Sequence, residues 1–158
     1  MIEKELVPHE LSLRMKLIGF NEPCLAYYSK YNDDNRPPHL SINFKHSLKS
    51  NSDFRYLQTR PSGEGLFIGI DEGGCACPFI TQAFRWFREN HNLIGLVSIT
   101  SGTLTRQYWY FDIYDLFGNI IPDSQSDEDP YYKTYNETEI ACLEELIKMV
   151  EEKLINSK

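Results

Sequence analysis

The stretch F-I-T-Q-A-F-R-W-F-R-E-N, from Phe79 to Asn90, decides how the rest of the chain must be arranged. Ile80, Ala83, Phe84 and Phe87 recur at the i, i+3, i+4, i+7 spacing that lines one face of a helix. Phe79, Ala83, Trp86 and Asn90 form an adjoining stripe, so the apolar face is wide. Pro78 suits a first helical turn, and Gly73-Gly74 ahead of it marks a break. A helix with this much apolar surface has to lie across a sheet or between other helices.

Working outward, Leu93 to Thr100 and Arg106 to Asp115 read as a β-hairpin turning near Ser101-Gly102. In its second strand Trp109, Phe111 and Ile113 share one side, and Tyr108, Tyr110, Asp112 and Tyr114 take the other. Rings on both sides are expected of a central strand. Either helices cover both sides, or the tyrosines form an exposed binding surface; tyrosines commonly pack with only the hydroxyl wet. Further on, Thr134-Tyr135-Asn136-Glu137 matches a capping box. Ile140, Leu143, Ile147, Val150 and Leu154, with Leu146 alongside, then make one stripe of an amphipathic helix of about 20 residues. Glu139, Glu144, Glu145, Glu151 and Glu152 cover its other side.

Upstream, Leu6 to Ile18 has a helical pattern with Leu11, Met15 and Ile18 on one face beside Leu17. Gly19 stops it, and Phe20 is placed to pack back. Strands are expected over Cys24–Tyr31, Leu40–His46, Phe54–Thr59 and Leu66–Ile70, with Pro61–Gly65 closing a hairpin between the last two. The sum is an α+β chain, one domain over residues 1–158. Its mainly antiparallel sheet would have about four to six strands. Three helices would pack on it, at about 8–18, 79–90 and 135–155, the latter two through Phe84, Phe87, Leu143, Ile147 and Val150.

At 158 residues the chain can bury a substantial core, and 41% hydrophobic with 25% charged residues is ordinary globular composition. The net charge of −7 is unevenly spread: +2 over residues 1–60, −1 over 61–111 and −8 over 112–158. Duplex nucleic acid is gripped through many Lys and Arg contacts, so an acidic chain argues against it. The charged start Met1-Ile2-Glu3-Lys4-Glu5 lacks a signal peptide's apolar core, and no apolar run is long enough to span a membrane. A cytoplasmic protein is expected, with no membrane association.

The cysteines are Cys24, Cys75, Cys77 and Cys142, reduced in that setting. Cys24 and Cys142 read as small core residues. Cys75-Ala76-Cys77 lacks the second ligand pair of a zinc site, and His9, His39, His46 and His91 lack metal-ligand spacing. The glycines of I-G-I-D-E-G-G-C-A-C-P precede the Phe79–Asn90 helix, where phosphates can bind. They fit neither the P-loop nor the dinucleotide pattern, and read as a turn. The acidic loop at about 118–130 fails as a calcium loop: Glu128 stands where glycine is needed and Thr134 where the bidentate Glu belongs.

Three phrases carry a resemblance. L-V-P-H-E-L-S-L-R-M-K-L-I-G-F-N-E-P-C-L-A-Y-Y, T-Q-A-F-R-W-F-R-E-N and Y-K-T-Y-N-E-T-E-I-A-C-L-E-E-L-I resemble, in the same order, a family of small proteins encoded by bacteriophages, prophages and mobile elements of gut bacteria. They cover roughly a third of the chain. The resemblance implies a phage-type accessory protein and no particular activity.

Three functions compete. The first is a non-enzymatic binding protein acting on a host protein, favoured by the resemblance, the acidic last third and the aromatic surfaces. The second is a binder of a small nucleotide-like anion. Arg85 and Arg88, one turn apart and near Gln82, would take phosphate, while Tyr108, Tyr110 and Tyr114 would take a base. The plain alternative is that both arginines pair with nearby acids. The third is an enzyme drawing on Cys75, Cys77 and His91, although no spacing singles them out. No catalytic residue, cofactor or metal is assigned, and the oligomeric state stays open.

Overall fold

A computed structural model describes residues 2–29, 38–42, 48–53, 55–59, 66–70, 74–100, 107–121 and 131–157. The chain is α+β, with three α-helices and only antiparallel strand pairs among these residues. It divides into two compact units, residues 8–78 and residues 1–7 with 79–158.

The unit of residues 8–78 opens with α1 (His9–Leu17). Pro8 sits at its N-cap, and the Pro8 carbonyl accepts the Ser12 N–H at 2.9 Å. The helix ends as its sequence demands. Gly19 takes φ +100°, a conformation open to glycine, the Phe20 N–H donates to the Met15 carbonyl at 2.9 Å, and the Gly19 N–H donates to that of Lys16 at 3.2 Å. Leu11, Met15, Ile18 and Phe20 are buried. Leu17, expected beside them, is 81% exposed, because two residues beyond Met15 is about 200° round the helix.

Strand β1 (Ala26–Ser29) is central in a three-stranded sheet between β2 (His39–Ile42) and β5 (Cys75–Cys77), with Ala26 opposite Ile42 on one side and Cys77 on the other. Cys75-Ala76-Cys77 is thus a buried strand and not part of the turn expected there. Its small side chains fit a fully covered site, and its backbone is shared between β1 and the Asn51 side chain. The Asn51 side chain donates to the Phe20 carbonyl and accepts the Ala76 N–H at 2.9 Å, joining the end of α1 to β5. Strands β3 (Arg55–Thr59) and β4 (Leu66–Ile70) form the expected hairpin. Its turn at 61–65, and parts of the expected strands at 30–31, 43–46 and 54, lie outside the described residues.

The other unit holds the aromatic helix expected over residues 79–90. Helix α2 (Ile80–His91) starts one residue later than expected, with Phe79 as its N-cap, and closes on Asn92 in the left-handed region at φ 59°. Strands β6 (Leu93–Ile99) and β7 (Trp109–Asp115) pair antiparallel, Leu93 opposite Asp115 through Ile99 opposite Trp109. The expected turn at Ser101-Gly102 and the acidic segment 122–130 lie outside the described residues. Helix α3 (Tyr135–Asn156) begins with the predicted capping box: Thr134 Oγ1 accepts the Glu137 N–H at 3.2 Å, and Glu137 Oε2 accepts the Thr134 N–H at 3.1 Å. Phe87, Leu143, Ile147 and Val150 are buried as expected, whereas Phe84 is half-buried. The α3 stripe ends at Val150, since Leu154 is 46% exposed.

A sheet of four to six strands is not seen among the described residues, which form sheets of three, two and two. The edges of β1 are taken by β2 and β5, and the outer edge of β7 by bridges from Tyr132 and Ile120. No helix among the described residues is long and apolar enough to cross a membrane.

Candidate functional site

The β6–β7 hairpin has two unlike sides, fixed by its register. Residues directly opposite point to the same side, so Gly95 with Ile113 and Val97 with Phe111 face one way, while Ile94 with Tyr114, Leu96 with Asp112 and Ser98 with Tyr110 face the other. Helices α2 and α3 lie on the first side. A Cβ placed on Gly95 would meet Cys142 Sγ at 2.6 Å, Phe84 Cε1 at 2.8 Å and Leu146 Cδ1 at 3.2 Å. Glycine is what lets α3 come this close.

None of this unit's helices covers the second side. Tyr108, Tyr110, Asp112 and Tyr114 are half-buried there, and Leu96 is 50% exposed. Tyr131 packs its ring 5.9 Å from that of Tyr108 and is itself 51% exposed. Ile120, opposite Tyr114, adds an exposed aliphatic group. Tyr114 Oη donates to the Asp112 carboxylate at 3.5 Å, and burial together with that carboxylate pushes the Tyr114 hydroxyl above its ordinary pKa. Of the two arrangements expected for β7, helices on both sides or an exposed tyrosine surface, this unit has helices on one side only, with the tyrosines on the other.

The proposed anion-binding residues are not brought together. Arg85 and Arg88 are exposed on α2, each 3.9 Å from a Glu89 carboxylate oxygen, and Gln82 is half-buried on the same helix. The tyrosines lie on the far side of the hairpin from α2, so the strands stand between guanidinium groups and rings. A second surface feature, a shallow groove of about 360 Å³, is lined by Tyr132, Asn136, Glu137, Ile140, Ala141 and Glu144. Its two carboxylates disfavour a phosphate.

The reactive candidates are inert in these surroundings. Cys75 and Cys77 are 0% and 1% exposed. Burial pushes the Cys77 thiol up to about 11, against hydrogen bonds from Tyr28 and Ser12, so it stays protonated at neutral pH. Burial raises Cys142 further. The His91 ring lies 4.6 Å from that of Trp86 and 5.8 Å from that of Phe87, its Nε2 buried without a hydrogen-bond partner among the described residues. No group of three His, Cys, Asp or Glu side chains among the described residues is placed to hold a metal ion.

Compared with protein-family models, curated proteins and solved structures, the chain matches none. Function has to be read from this geometry. The sequence reading missed Gly95, although a lone glycine inside a strand pattern is a signal of close backbone approach. Alternation did separate the hairpin's two sides, but it left open which of them the helices would take.

Proposed function

We propose that this is a non-enzymatic binding protein of the phage or prophage type, acting in the bacterial cytoplasm on a host protein through the tyrosine side of the β6–β7 hairpin. The observation that carries the reading is the cluster of Tyr108, Tyr110, Tyr114 and Tyr131 with Ile94, Leu96 and Ile120 on the side opposite α2 and α3. Tyrosines supply large, rigid contact area with a polar tip and are enriched at protein interfaces. A strand side has no enclosing walls, whereas small-molecule sites are concave. Asp112 is the only charge on the two strands' share of this side, which suits a partner presenting apolar groups and a basic residue.

The test is capture from host lysate, reconstitution with the purified partner and calorimetry. Tyr110→Ser and Tyr114→Ser together should weaken binding about a hundredfold, or about 3 kcal/mol, with the fold retained. Arg85→Ala with Arg88→Ala should leave it unchanged. A nucleotide that raises the melting temperature of the wild type but not of the arginine variant would replace this reading with the anion-binding one.

A further inference from the structure

The outer edge of β6 carries a second interaction surface, made by backbone groups and adjoining the tyrosine side at Ile94 and Leu96. Trp109 exchanges its N–H and C=O with Tyr132 at 3.0 and 2.8 Å, and the Ile113 carbonyl accepts the Ile121 N–H at 2.9 Å. The backbone groups of Trp109 and Ile113 therefore point away from β6. The Thr100 N–H donates to the Tyr108 carbonyl at 2.8 Å, one pair beyond Ile99 opposite Trp109. Hydrogen-bonded pairs alternate along an antiparallel ladder, so Ile94, Leu96 and Ser98 bond to β7, and Leu93, Gly95, Val97 and Ile99 aim their N–H and C=O outward. Among the described residues no strand pairs with that edge.

Natural edge strands are shielded by charge, proline, a bulge or shortness. Strand β6 has none of these. Its seven residues, L-I-G-L-V-S-I, include no charge and no proline, and all seven pair in unbroken register with β7. The strand brings no charge to a pairing with its own copy, so the net charge of −7 is not concentrated at such a contact.

We propose that β6 pairs antiparallel with β6 of a second copy of this chain across a two-fold axis, making a continuous four-stranded sheet. One register uses the whole strand. Centred on Leu96, it sets Gly95 opposite Val97, Leu93 opposite Ile99 and Ile94 opposite Ser98 of the other copy. All four outward residues then bond. The two Leu96 side chains meet on the axis as a non-hydrogen-bonded pair, with Cα atoms about 4.5 Å apart. Leu96, 50% exposed in the single chain, is covered in the pair. A two-fold axis perpendicular to the sheet leaves α2 and α3 on the same side of it in both copies.

The test starts from the mass in solution by sedimentation equilibrium. The wild type should approach twice its 18.5 kDa as concentration rises. Val97→Pro removes one outward N–H that β7 does not use, and should give a folded monomer. Leu96→Cys should cross-link into a disulfide dimer under mild oxidation, because about 4.5 Å lies within the reach of about 4.4–6.8 Å for that bond. Ser98→Cys, which faces Ile94 of the other copy, should cross-link at least tenfold more slowly. A wild type that is monomeric throughout overturns the proposal. So does a Val97→Pro protein that dimerises like the wild type, open-ended association, or equal cross-linking of the two cysteine variants. If Val97→Pro fails to fold, the ratio of the two cross-linking rates decides. Loss of the tyrosine-side partner would leave this dimer intact, so the two readings fail separately.

Discussion

On the helix side of the β6–β7 hairpin Phe111 and Ile113 are 8% and 0% exposed, whereas one residue along the same strand Tyr110, Asp112 and Tyr114 are only half-buried. Both sides are built largely from rings and aliphatic groups, so hydrophobicity alone does not separate them. Close approach does. Gly95 removes the one side chain that would hold α3 away, and Cys142 and Leu146 fill the space. The other side has no such glycine, and its rings carry hydroxyls that tolerate water. The stability of this unit should therefore reside in one side and its recognition in the other.

The largest expected effect is on the helix side. Phe87 is fully buried and stacks edge-on against Trp86 at 5.0 Å. Phe87→Ala should cost about 4 kcal/mol by transfer and cavity terms together, measured by denaturant titration with the slope unchanged. A loss below about 1 kcal/mol would mean that α2 is not anchored there. Next comes Gly95→Ala, whose added methyl would sit 2.6 Å from Cys142 Sγ. Cys142 is fully buried on α3 and too short to swing clear, and about 2 kcal/mol is expected. Pairing it with Cys142→Ala should recover part of that loss, since the two sites share one contact.

How much of this was legible in the sequence depended on where the controlling interaction lay. Local chemistry read well. The Thr134–Glu137 capping box, the Gly19–Phe20 helix stop and the hairpin pairing each rest on residues close in the chain. Long-range facts did not. Cys75-Ala76-Cys77 followed glycines and read as a turn, yet β1, about 50 residues earlier, makes it a strand. Alternation separated the tyrosines from Phe111 and Ile113, but only tertiary contact says which side the helices take. The candidate anion site failed to assemble for the same reason, since residue type was right and placement was not.

A smaller effect separates the sides by pH. Burial, and then the charge of Lys153, hold the His91 imidazole below its ordinary value of 6.5. The unfolded chain therefore takes up a proton at a higher pH than the folded one. The stabilisation from keeping His91 neutral is complete above about pH 6.5 and is lost as pH falls from there through the folded pKa. His91→Phe keeps a ring against Trp86 and Phe87 and removes the titration. Its stability should fall less than that of the wild type between about pH 7.5 and pH 5, while Tyr110→Ser should leave the wild-type difference in place. An identical fall in His91→Phe would assign the acid sensitivity to other groups.

The smallest stability effect, and the sharpest test of the contrast, belongs to Tyr110→Ser. Its ring is half-buried on the side that α2 and α3 do not touch, opposite Ser98 on β6. Removing it leaves no sealed cavity, because water can enter the space, and the hydrogen-bonded pairing with Ser98 is made by backbone. The expected change is within about 0.5 kcal/mol, with the unfolding slope unaltered. A loss of several kcal/mol, comparable with Phe87→Ala, would show the tyrosine side to be core, and a surface committed to holding the fold together could not also serve as the face that recognises a partner.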